Sequence, residues 1–120
     1  MNIEQEIAEL KSRIRVLEQQ LSGLPFEIAP KETEKLEGWY YANNYCHFVN
    51  IDNKTGWRLP TIEELNQIYQ SENDFEKDWY WSSNMSSLSD YAQHLFFHNG
   101  VQGNRKKRHV AYIRAIRDLI

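Results

Sequence analysis

One cysteine in 120 residues leaves Cys46 without an intrachain partner, which excludes the disulfide-stapled secreted class. A lone thiol of this kind is usually a small buried hydrophobe, and Cys46 is read that way. No apolar run approaches the ~20 residues that span a bilayer. The first residues, Met1-Asn2-Ile3-Glu4-Gln5-Glu6, carry acids where a secretory leader carries cations. These absences predict a cytoplasmic product with no membrane contact, a virion-associated location staying open. Helix-turn-helix, zinc-finger and RNA-sheet signatures are also missing, so no sequence-specific nucleic-acid partner is expected.

What is present is globular. Hydrophobic residues make up 41% and aromatic residues 13%, against 26% charged, enough apolar material for one modest core. The net charge of −3 hides an uneven distribution. Glu63 to Asp78 holds six acids and one lysine, while Arg105 to Arg117 holds six basic residues and no acid. A domain with two faces of opposite sign is expected.

The first 24 residues read as an oligomerisation helix. Ile3, Ile7, Leu10, Ile14, Leu17, Leu21 and Leu24 follow at alternating steps of four and three, the heptad spacing of a coiled coil. With Ile7, Ile14 and Leu21 at a, the g positions hold Glu6 and Arg13 and the e positions Lys11 and Glu18. In a parallel pair, Glu6 would meet Lys11 and Arg13 would meet Glu18, both attractively. A helix this short is marginal alone, and a stripe two positions wide is narrow for docking on a core. A homo-oligomer follows, with dimer favoured over trimer because isoleucine at a and leucine at d suit two strands. Gly23, Pro25 and Pro30 end the repeat, and residues 25–35 are read as a linker.

Residues 36–120 read as one compact α+β domain. Glu37 to His47 suits a short helix but also admits a strand at its start, and Asn50 to Thr55 reads as a polar turn. Thr61, three residues before Glu64, forms a capping box ahead of the apolar face of Leu65, Ile68 and Tyr69. Trp79 to Ser83 and Tyr91 to Phe97 read as strands, the second turning at Asn99-Gly100. Val110 to Arg117 reads as a single closing strand.

Five blocks in order carry a resemblance: Tyr41-Ala42-Asn43-Asn44-Tyr45-Cys46, Gly56-Trp57-Arg58-Leu59-Pro60-Thr61 with Glu64-Leu65, Tyr80-Trp81-Ser82-Ser83, Phe97-His98-Asn99-Gly100, and Ile113-Arg114-Ala115-Ile116-Arg117. The domain resembles the Lcl C-terminal-domain-like family, compact relatives of the C-type-lectin and formylglycine-generating-enzyme folds. The resemblance implies a C-type-lectin-like domain with short helices and a small antiparallel sheet, the coiled-coil arm lying outside it. It further implies a binding or cell-surface module on an oligomeric stalk, in some members contacting sulfated polysaccharides, with bacterial and bacteriophage examples.

Catalysis is not expected. The Trp57-Arg58-Leu59-Pro60-Thr61 run is similar to one in formylglycine-generating enzymes, but the paired cysteines those enzymes use are missing here. Ser82, Ser83, Ser86, Ser87 and Ser89 lie in a polar stretch that reads as a long surface loop, with no base or orienting acid in sequence. His94 and His98 on one strand would point the same way but sit roughly 13 Å apart, too far to share a metal. The carbonyl and carboxylate pattern of a lectin calcium site is missing as well, so neither a metal nor a cofactor is expected.

The sharpest candidate is Arg105-Lys106-Lys107-Arg108-His109, adjacent cations suited to phosphate or sulfate groups and multiplied by any oligomer. Its bland counterpart is a solvated hairpin loop whose charge opposes Glu63 to Asp78. The leading expectation is a non-enzymatic oligomeric module that binds a protein or a polyanionic glycan. The alternative is an intracellular, virus-encoded inhibitor or regulator of a nucleic-acid-handling enzyme.

Overall fold

A computed structural model describes residues 3–11, 23–86 and 89–119. Residues 3–11 are helical (α1), and Ile3, Ile7 and Leu10 on it are exposed by 71%, 47% and 55% in a single copy. The remaining arm positions of the heptad seam, Ile14, Leu17 and Leu21, lie outside the described residues.

The domain follows in the order β1 (Phe26–Ile28), a 3-10 turn (Lys31–Thr33), β2 (Lys35–Glu37), α2 (Trp39–Phe48), β3 (Trp57–Arg58), α3 (Ile62–Gln70), β4 (Trp79–Met85), β5 (Tyr91–Phe96), β6 (Val101–Lys106), β7 (Ala111–Ile113) and β8 (Ile116–Asp118). Two sheets form, one in the order β1-β8-β3 and one in the order β2-β7-β4-β5-β6. All pairings are antiparallel except β4 with β7, which touch in parallel at Tyr80 and Tyr112.

The larger sheet is covered on both faces, because side chains alternate along a strand. Trp81 and Ala92 belong to one cluster with Trp39, Ala42 and Cys46 of α2, joined by Ala111 and Ile113. Tyr80 and Leu95 face the other way, onto Leu65 and Ile68 of α3, with Phe26, Phe75, Phe97 and Ile116. Adjacent residues of β4 therefore serve different cores. Full burial of Leu65 or Ile68 contributes about 1.5–3 kcal/mol each.

Local chemistry sets the elements. The α3 capping box is complete: the Glu64 N–H donates to Thr61 Oγ1 at 3.2 Å and the Thr61 N–H to Glu64 Oε1 at 2.8 Å. Asn84 Oδ1 accepts from the next free donor, the Ile62 N–H. The polar turn after α2 is a tight reversal with Asp52 and Asn53 at φ of 54° and 59°, residues that tolerate the left-handed region. Gly100 turns β5 into β6 at φ 78°, and a Cβ there would lie 2.6 Å from the Tyr69 ring.

Four expectations need correction. Residues 25–35 are not a linker: β1 joins the small sheet, β2 begins at Lys35, and Phe26, Glu27 and Ala29 are buried. Prolines at 25 and 30 forbid helix there but leave extended pairing open. Leu24 does not continue the heptad seam, since Gly23 takes φ 71° and Leu24 packs against the Phe26–Leu65 cluster. The closing strand is two strands in two sheets, broken where Arg114 turns inward to donate to the Ala29 carbonyl at 2.7 Å. The expected serine loop is shorter than read, because β4 runs through Ser82 and Ser83 to Met85.

Candidate functional site

The cations of the chain fall into two groups. Arg58 forks onto Glu64, Nη1 to Oε1 at 2.7 Å and Nη2 to Oε2 at 2.8 Å, and reaches Asp118 at 2.8 Å. Burial alone would raise the Glu64 carboxyl, but the Arg58 hydrogen bonds and the Thr61 N–H outweigh it and hold Glu64 below its usual value. Arg114, buried under the 3-10 turn, donates to Asp74 at 2.5 Å, sits 3.4 Å from Glu34, and lies over the Phe75 ring. Lys54 and Arg117 hold the buried Glu27 at 3.0 and 3.5 Å. Lys31 pairs with Glu76 at 3.0 Å. These pairs clamp the chain segments together, and the Trp57-Arg58 run is one of them.

The turn from β6 to β7 differs. Among the described residues, none of Arg105, Lys106, Lys107, Arg108 and His109 makes an ion pair. The acidic stretch expected to oppose them spends Glu64, Asp74 and Glu76 on Arg58, Arg114 and Lys31.

The turn is fixed by its backbone. The Lys107 N–H donates to the Asp90 carbonyl at 2.8 Å, and the Lys107 carbonyl accepts from the Trp39 N–H at 2.8 Å, serving the open N-terminus of α2. Gly38 makes this approach feasible, since a Cβ there would stand 3.1 Å from the Lys107 carbonyl oxygen. Lys107 is 6% exposed. Its ammonium lies 4.7 Å from the Trp39 ring centre and 5.1 Å from that of Tyr40, two rings set at 77° to each other. Met85 Sδ is 3.5 Å from Nζ. Trp39 is held in turn by its indole N–H on the Ser82 carbonyl at 2.8 Å.

Beside this corner opens a cleft of about 230 Å³ lined by Tyr40, Asp90, Lys106, Lys107 and Arg108. Three of the five expected cations are thus brought together. His109 is exposed outside the cleft lining. Arg105 lies opposite Ala92 on β5, its Nε buried without a partner. Trp39, Tyr40, Met85 and Asp90 were not anticipated. Each comes from a segment distant in sequence from the turn, and only Gly38 ahead of Trp39 hinted at a close backbone approach.

The other candidates have structural occupations. The Ser82 hydroxyl donates to the Gln93 carbonyl at 2.8 Å. Cys46 is buried, and burial pushes its thiol up to about 12, so it carries little thiolate at neutral pH. His94 is buried on β5, stacked on Trp79 at 3.8 Å, whereas His98 lies beyond the strand end in an exposed turn. The two do not share a strand face as expected. Among the described residues, no group of three or more His, Cys, Asp or Glu side chains comes together as a metal site would need.

The sequence model of the Lcl C-terminal domain matches residues 11–117. The chain belongs to this family. The match starts inside the arm and takes in β1 and β2, reaching further toward the N-terminus than residues 36–120, in keeping with the buried Phe26 and Glu27 of β1 and the pairing of β2 with β7. No curated protein matches the chain.

Proposed function

We propose that the protein is a non-enzymatic binding module that presents several copies of a C-type-lectin-like domain to a polyanionic ligand. The arm forms a parallel coiled coil through Ile3, Ile7, Leu10, Ile14, Leu17 and Leu21, a dimer in preference to a trimer. Exposure of Ile3, Ile7 and Leu10 in a single copy supports this, since apolar side chains at heptad spacing gain most by burial against a second helix.

The observation that carries the ligand assignment is the split among the cations. Where an arginine or lysine clamps the fold, a carboxylate sits on it. Where β6 turns into β7, Lys106, Lys107 and Arg108 come together with no acid paired to them among the described residues. Such a turn favours sulfate, phosphate or carboxylate groups, and two or three copies on one stalk convert weak contacts into retention. Among the described residues no helix is long and apolar enough to cross a membrane.

The test is light scattering behind size exclusion on the intact chain and on Ile7→Asp/Ile14→Asp, each then loaded on a heparin-type polyanion under rising salt. The intact chain is expected as a dimer or trimer that elutes at higher salt than the variant monomer. A monomeric intact chain removes the valency, and an oligomer that passes straight through at low salt removes the polyanion.

A further inference from the structure

Lys107 sits in an unusual place for a lysine. Residues of this type are rarely fully buried unless an acid accompanies them. Here the ammonium has three donors, and among the described residues its contacts are one thioether and the faces of two rings. Ring faces and sulfur are weak acceptors, worth about 0.5–2 kcal/mol for a cation–π contact, and they do not replace a charged oxygen. Asp90 lines the same cleft, yet no salt bridge joins the two among the described residues. The backbone holds the turn from both sides, through Asp90 and Trp39, so Lys107 stays in the corner while Lys106 and Arg108 stand at the rim.

The geometry points to a site for one tetrahedral oxyanion per copy, a sulfate or phosphate group, entering the cleft between Tyr40 and Arg108 and reaching the Lys107 ammonium. A tetrahedral anion carries oxygens in several directions, so one can take the Lys107 ammonium while others take Lys106 and Arg108. A diffuse basic surface requires no such arrangement. This deepens the preceding assignment and rests on it: the basic turn is the ligand face, and Lys107 makes it a discrete site rather than a field of charge.

The probe is the Trp39 indole N–H resonance in two-dimensional nitrogen NMR of the full chain, because the Lys107 ammonium lies over that ring. Sodium sulfate and sodium phosphate are titrated separately against sodium chloride at matched ionic strength. The expected result is a saturable shift with one or both oxyanions and none with chloride, the stronger of the two naming the group. In Lys107→Met, which keeps the stem and removes the charge, the apparent affinity is expected to fall at least tenfold with the melting temperature equal or higher. A linear response shared with chloride overturns the site, as does Lys107→Met binding like the parent. Saturation reached only at molar sulfate or phosphate means an adventitious ion only, and the proposal fails. The polyanion column separates the two levels. Retention of the intact chain without saturable binding defeats this site alone, and loss of both defeats the ligand face as well.

Discussion

The Arg58 and Arg114 clamps and the Lys107 corner all place a cation against aromatic or acidic neighbours, yet they resolve its charge in opposite ways. Arg114 is buried, and it meets Asp74, Glu34 and the Ala29 carbonyl. Lys107 is as buried and meets rings and a thioether. A buried charge with its acids is part of the framework, and removing it takes one partner from the buried Glu34, which keeps the Tyr80 hydroxyl at 2.7 Å and Lys31 at 3.4 Å. A buried charge without acids can be removed at small cost to the fold.

That contrast breaks most visibly at Arg114. Arg114→Met is expected to destabilise the domain by about 3–5 kcal/mol in urea unfolding, because Glu34 is left in a site only 7% exposed. Gly100→Ala comes next, at about 1–3 kcal/mol, since it adds a Cβ against Tyr69 at a φ that other residues resist. Arg58→Lys is expected to cost about 1 kcal/mol in the same measurement, discounted because Arg58 is a third exposed, and it shows whether the fork or the charge matters. Lys106→Ala with Arg108→Ala should leave the unfolding free energy within the ~0.5 kcal/mol typical of surface changes while lowering the salt at which the chain leaves a polyanion column.

Acid titration sharpens the contrast further. Glu64, Asp74 and Asp118 all titrate below their ordinary values of 4.5, 3.8 and 3.8. For Asp74, burial works against ionisation and the Arg114 hydrogen bond more than offsets it, while at Asp118 the Arg58 hydrogen bond dominates. A carboxyl depressed in the folded state contributes fully above its unfolded value and loses that contribution as pH falls through the folded one. Clamp stability should therefore begin to fall below about pH 4.5 in parent protein and fall less in Arg58→Met. His94 adds a separate step. Desolvation lowers its pKa below 6.5, so the folded state resists protonation and stability drops as pH falls from that value. His94→Phe should flatten the melting-temperature profile between about pH 6.5 and 5.

Much of this was legible in the chain. The capping box at Thr61 and Glu64, the helix over Trp39 to Phe48 and the Asn99-Gly100 reversal are local, and each has one dominant physical cause. The strand at 26–28 was not legible and that at 35–37 only as an option at Glu37, because three residues show no alternation and the flanking prolines read as a linker. The break at Arg114 was hidden for a different reason. An arginine inside an apolar run looks like an outward side chain, and its inward turn depends on the Ala29 carbonyl 85 residues earlier. At the site, the run 105–109 was visible as charge, but nothing local distinguishes Lys107 from its neighbours. Its burial is written in Gly38, Trp39 and Met85.

The pairing of β1 with β8 sets Phe26 directly opposite Asp118. The chain therefore leaves the domain toward the arm and toward its last residues from adjacent points on one small sheet. Tension between those two points would unzip three residue pairs in succession, opening the register Phe26 with Asp118, then Glu27 with Arg117, then Ile28 with Ile116. A label placed after residue 119 would sit beside the start of β1, and so would report on the opening of this small sheet.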